Sequence, residues 1–314
     1  MKNFKPIVLV VTVLISVSTF YQCTNDEGLF TPIFGNNTFA NFDQLHDSIS
    51  ADTIKFQIIN PANDTILEGP QGIRLSFPAY TGSAPAPFDV ELIEIFRRGH
   101  MIAQNIQTFA DDAALISGGM FWVRVKDANG AELNLPGAQA ILPYQTDATG
   151  YENSMQYFTG ENQTAPSGPV LSWGPGQSEL TFDADAGANG EFTIWSIMGG
   201  WSNCDAFNQF TGQTPTQFSV KVSNVTDYTD TKVFFALDEF STVAALTTPI
   251  VGGLKTYDNS IATGATGKVI AISLIDGELQ FASQDVTVAG NDEFTLAVAP
   301  GTFAQLETLL NSLD

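Results

Sequence analysis

Along most of this chain apolar and polar residues alternate with a period of two, the pattern that puts successive side chains on opposite faces of a strand. Ile54-Lys55-Phe56-Gln57-Ile58 alternates, then turns at Asn60-Pro61-Ala62-Asn63-Asp64. Residues 72–78 alternate again and stop at Pro78. Phe88 to Phe96 and Met120 to Lys126 predict longer strands, the second closed by Asn129-Gly130, a pair suited to the positive φ of a hairpin turn. Further runs are Ser154–Phe158, Leu180–Ala184, Glu191–Met198, Gln217–Ser223, Lys232–Leu237, Lys268–Ile275, Glu278–Ser283 and Glu293–Val298. Asp276-Gly277 predicts another hairpin turn. Lys232–Leu237 has unbroken apolar residues after its lysine, as a strand buried on both faces does.

The pattern changes at the two ends. Thr302-Phe303-Ala304-Gln305 has the form of a capping box, and Phe303, Leu306, Leu310 and Leu313 recur at helical spacing, so a short C-terminal helix is expected. Residues 42–47 suggest one helical turn. The fold expected is all-β: two β-sandwich-like domains with a short C-terminal helix. The boundaries are a signal peptide at 1–22, a tether and lead-in at 23–51, a first sandwich at 52–147, a Gly/Pro-rich junction at 148–178, and a second β domain at 179–314.

The signal peptide rests on Lys2 and Lys5 followed by an apolar run from Ile7 to Val17, too short to span a bilayer comfortably. Ser16-Val17-Ser18 offers a small-x-small cleavage site that would release a soluble protein. Cys23 offers lipidation, followed by the polar tether Thr24-Asn25-Asp26-Glu27, although Phe20-Tyr21-Gln22 departs from the usual small residues. Lipidation at Cys23 is the preferred reading; a disulfide to Cys204 is the alternative. The expected location is the outer membrane or cell surface, or the periplasm or medium without an anchor.

The chain carries 34 acidic and 12 basic residues, a net charge of −22 that becomes −24 once Lys2 and Lys5 are removed. Such a charge disfavours nucleic acid and anionic membrane surfaces, leaving a lipid anchor as the membrane contact. With 24 phenylalanines among 314 residues, the chain has ample material for a packed core.

Candidate chemistry is sparse. His46 and His100 fall in segments read as exposed loops. Glu91 and Glu94, three apart on a strand, point to opposite faces and cannot converge on one substrate. Asp183, Asp185 and Asn189 place oxygens at alternate positions as a calcium loop does, but lack the loop's closing acid; a plain hairpin is the alternative. Trp122, Trp173, Trp195 and Trp201, with Tyr144, Tyr151 and Tyr157, suggest a sugar-stacking platform, and Trp173 and Trp201, beside glycines and polar residues, are the ligand-binding candidates. Cys204 reads as a buried thiol. No catalytic set emerges, and no enzyme is expected.

Three stretches, VELIEIFRRGHMI (90–102), LISGGMFWVRV (115–125) and MGGWSNCDAF (198–207), resemble segments of uncharacterised exported or lipid-anchored β-rich proteins of the Bacteroidetes. The resemblance covers about residues 52–314. It implies an exported two-domain β architecture in a Gram-negative envelope and no activity. His100 stands where that group usually has an acid, and Ala206 where a basic residue is common. It also implies O-glycosylation at Asp-Ser/Thr-apolar triplets, which here puts Ser48, Thr53 and Thr65 forward. The function expected is non-catalytic, structural or directed at other surface macromolecules; the alternative is a carbohydrate-binding accessory protein of a glycan-uptake system, with glycans as partners.

Overall fold

A computed structural model describes residues 38–145, 148–210 and 212–313; Cys23 and the signal-like segment lie outside them. Among the described residues the chain is all-β, with three short α-helices, the last at the C-terminus. In the first half the strands are β1 (Ile54–Ile58), β2 (Thr65–Glu68), β3 (Arg74–Phe77), β4 (Phe88–Ile95), β5 (Ile106–Ala110), β6 (Ala113–Lys126), β7 (Gln139–Pro143), β8 (Gln156–Gln163), β9 (Val170–Pro175), β10 (Leu180–Asp183), β11 (Glu191–Ile194) and β12 (Gly200–Phe207). They form a seven-stranded sheet, β1-β4-β6-β12-β8-β9-β5, facing a five-stranded sheet, β10-β11-β7-β3-β2. Phe77, Leu92, Phe121, Val123, Leu142, Phe192 and Cys204 fill the space between them.

This arrangement corrects the expected boundaries. Residues 148–178 are not a junction, because β8 and β9 lie inside the seven-stranded sheet; β10, β11 and β12, expected in the second domain, complete the first sandwich. Two glycines of this stretch have a packing reason: a Cβ on Gly160 would lie 2.6 Å from the Cβ of Trp201, and one on Gly176 would run into the buried Tyr157 ring. Strand glycines commonly mark such close approaches.

The second half holds β13 (Pro215–Thr216), β14 (Phe218–Val222), β15 (Thr231–Leu237), β16 (Val243–Ala245), β17 (Thr248–Ile250), β18 (Gly253–Lys255), β19 (Ile261–Ala262), β20 (Thr266–Ile275), β21 (Glu278–Thr287), β22 (Asp292–Leu296) and β23 (Ala299–Pro300). A four-stranded sheet, β17-β18-β14-β22, packs on a five-stranded one, β16-β15-β20-β21-β23. β15 is buried along its whole length, with Val233, Phe235 and Leu237 facing one core and Phe234 and Ala236 another. Asp276 and Gly277 both have positive φ and join β20 to β21.

Three helices fill the seam between the halves. In α1 (Phe42–Ile49), Asn41 caps the N-terminus by accepting from the Gln44 amide, and Phe42, Leu45 and Ile49 are buried. α2 (Arg98–Ala103) buries every residue from Gly99 to Ala103. α3 (Phe303–Asn311) carries the full Thr302/Gln305 capping box. All three share one apolar core with Ile95, Met120, Phe158, Trp173, Phe234 and Ile270, drawn from both halves. Among the described residues no helix is long and apolar enough to cross a membrane.

Candidate functional site

The three stretches behind the family resemblance are neighbours in space: β4 pairs with β6, and β6 with β12. On the outer face of this sheet, one transverse row runs through Ile93, Trp122, Trp201, Gly160 and Trp173. Trp201 lies beside the space that Gly160 leaves open. Ile93, Trp201 and Trp173 pack on the seam core, which decides the fate of the two tryptophan candidates. Trp173, expected to be exposed, is 1% exposed, and its Nε1–H donates to the Gln107 carbonyl at 2.9 Å. It is a core residue, not a ligand platform. Trp201 is half-buried against the same core.

Beside Trp122 the surface is hollowed. Trp122 is half-buried, with the Arg124 guanidinium 5.0 Å from its ring centroid. Glu91 holds Arg124 at 2.5 Å, and Glu132 approaches at 4.0 Å. Trp122, Arg124 and Glu132, with Asn134 and Gly200, line a cleft of about 530 Å³. Its far wall is Met198, 57% exposed in the loop that carries the chain from β11 in one sheet to β12 in the other. Met198 also borders a second cleft of about 420 Å³, lined by Tyr157, Thr159, Gly176, Gln177, Ser178 and Ser196. Trp195, at the start of the same loop, is 47% exposed and donates from Nε1 to Thr181 Oγ1 at 3.0 Å. Sequence reading passed over Met198, Arg124 and Asn134, since nothing in a period-two pattern reveals a sheet-to-sheet crossing. The one local signal is Gly199-Gly200 directly after Met198.

Beneath this surface lies a buried polar group. β6 and β12 lose register where Gly118 and Gly119 oppose Cys204, a two-against-one bulge. Ser117, Asn203 and Asp205, all at or below 1% exposure, collect there. Asn203 Nδ2 donates to Asp205 Oδ2 at 2.6 Å, and the Gly119 amide donates to Ser117 Oγ at 3.2 Å. Burial pushes the Asp205 carboxyl well above the usual range; hydrogen bonds from Ser117, Asn203 and Gly118 act in the opposite direction. Cys204, fully buried, is pushed up by burial and by Asp205. A disulfide from Cys204 to a residue of the tether would require this core to open.

The remaining candidates divide by burial. Ser48 is 5% exposed on α1 and donates to the Gln44 carbonyl, so the folded protein does not offer it for glycosylation. Thr53 is exposed before β1, and Thr65 is half-buried at the start of β2. Asp183, Asp185 and Asn189 sit exposed on the β10–β11 hairpin. There Asp183 Oδ1 accepts the Asp185 amide at 3.0 Å, and Gly187 and Gly190 supply positive φ, so the loop closes by its own bonds. Among the described residues no group of three or more His, Cys, Asp or Glu is placed to hold a metal ion.

The histidines are not in exposed loops. His46 lies on α1 with Nδ1 2.6 Å from the Ala103 carbonyl, and His100 lies on α2 at 9% exposure. Burial holds both down at about 4; the Arg97 charge adds to this for His100 and the Lys232 charge for His46. Lys232 itself is 5% exposed, 5.1 Å from the Phe42 ring centroid, and burial lowers it to about 8 against the pull of Asp43. Glu91 and Glu94 part as expected. Glu91 pairs with Arg124, while Glu94, 1% exposed, accepts the Gln71 and Ile73 amides at 2.9 and 2.8 Å and closes a turn. No protein-family model matches this chain, and neither the curated proteins nor the solved structures hold a match to it.

Proposed function

We propose that this is a non-catalytic exported protein, held at the cell envelope by a lipid on Cys23, that recognises another surface macromolecule through the paired clefts around Met198. The observation that carries the reading is Met198 itself, a large apolar side chain 57% exposed on a ridge between two hollows. Concave hollows lined by apolar side chains and a few polar groups are the usual form of a binding site. The acids nearest the clefts, Glu91 and Glu132, face Arg124 and not one another, which suits binding better than acid–base chemistry. The N-terminal charge and apolar run support export. The exposed Thr53 and the half-buried Thr65 are the triplet positions open to glycosylation, which the intact mass of native protein measures.

The test places a photo-crosslinking residue at position 198 of the full chain in cells fed a palmitate analogue, with Thr308 on α3 as the control position. The reading expects a macromolecular adduct at 198 and none at 308, and label that disappears in Cys23→Ala. Adducts at neither position would overturn the recognition surface, and equal label in both proteins would overturn the anchor.

A further inference from the structure

We infer that the ligand of the paired clefts is a neutral oligosaccharide laid across the Met198 ridge; this rests on the recognition surface proposed above. Three features point there. The first is the absence of an unpaired cation. Arg124 is the sole cation lining either cleft among the described residues, and Glu91 at 2.5 Å and Glu132 at 4.0 Å offset it. A phosphate, sulfate or uronate ligand would find no unpaired cation and would approach a chain of net charge −22. The second is the polar lining. Asn134 in one cleft and Gln177, Ser178, Ser196 and Thr159 in the other are neutral groups that donate and accept, the complement of sugar hydroxyls. The third is shape. Two hollows of about 530 and 420 Å³ share a wall formed by one flexible side chain, so a linear ligand can fill both while its apolar ring faces rest on Met198 and Trp122. Volumes of this size match small-molecule sites. Arg124, fixed over Trp122 and by Glu91, presents its remaining N–H groups in a set direction.

The test is calorimetry of the mature protein with neutral hexasaccharides (cellohexaose, xylohexaose, maltohexaose, mannohexaose) and with hexagalacturonate as the anionic probe. At least one neutral hexasaccharide should bind, and Asn134→Ala and Met198→Glu should each weaken it tenfold or more. Both positions are at the surface, so thermal melts of the variants should match the parent. Trp195→Ala, outside both clefts, should leave binding unchanged. Binding of hexagalacturonate alone, neutral binding indifferent to both cleft substitutions, or no binding of any hexasaccharide would overturn the inference. If sugars fail while the crosslinker at 198 captures a protein, the recognition surface stands and its ligand is not a glycan. If both fail, both readings fall.

Discussion

Asp205 has no solvent to stabilise its charge and, among the described residues, no cation to replace it, so it keeps its proton well above the pH at which an unfolded aspartate loses it. The consequence has a definite sign. A raised carboxyl contributes stability that is full below about pH 4 and is lost as pH rises through its folded value, because the unfolded chain gains by ionising first. Asp205→Asn keeps the neutral shape and the acceptor for the Asn203 amide, and removes that ionisation. The variant should match the parent near pH 4 and then gain on it steadily as pH rises. Asp205→Ala strands the Asn203 amide and should cost about 1–3 kcal/mol at pH 4. Urea titrations at pH 4, 5, 6 and 7 read both; a gap between Asp205→Asn and the parent that does not move with pH would sink the account. Sequence placed Cys204 inside correctly and could not place Asp205. In an extended strand successive side chains alternate, and nothing local reveals that both faces of β12 are covered.

At the scale of elements, the local signals were the legible ones. The capping box at Thr302, the Asp276-Gly277 turn and the alternating strands β1, β4 and β6 follow from short-range chemistry. The helix α2 was missed because six residues around an Arg-Arg-Gly core carry no periodicity of their own; the seam makes it helical by burying it. Of the strands inside the expected junction, only the start of β8 was read, as Ser154–Phe158, and β9 was missed, because a strand that passes beneath Trp201 needs glycine, and glycine also writes loops. Gly118-Gly119 shows the same ambiguity in a sharper form. Gly119 has φ +124°, and a Cβ there would lie 2.3 Å from Phe96. Gly130, at φ +81° with nothing within 4 Å, separates backbone strain from clash. Gly130→Ala should cost about 1 kcal/mol and Gly119→Ala about 3 kcal/mol, since overpacking adds to the strain. Denaturant midpoints decide it: equal losses at the two positions would mean that Phe96 moves aside and the bulge tolerates a side chain.

For the whole molecule, the seam settles how the halves behave together. Domains within one chain move independently by default unless their interface is large and apolar. Here the interface is a core in its own right, holding all three helices and strands from both halves. It is also cross-bonded. Thr108 Oγ1 accepts the Val243 amide at 2.8 Å, the Thr242 hydroxyl donates to Leu115 at 2.8 Å, and Gln107 Oε1 accepts the Ala245 amide at 3.3 Å. Trp173 sits at this join, fixing the Gln107 carbonyl from the sandwich side. Two independent β units would melt in two steps; a shared core predicts one, with calorimetric and van't Hoff enthalpies equal. Trp173→Ala should then cost about 3–5 kcal/mol and lower a single transition without splitting it, because the cavity falls in structure common to both halves. Calorimetry read beside hydrogen exchange on β14 and β20, neither of which pairs with the strand carrying Trp173, makes the test specific. Loss of protection in the first sandwich alone would show two folding units in contact. Equal loss in both would show that the tryptophan read from sequence as a ligand platform is the post that binds the halves into one.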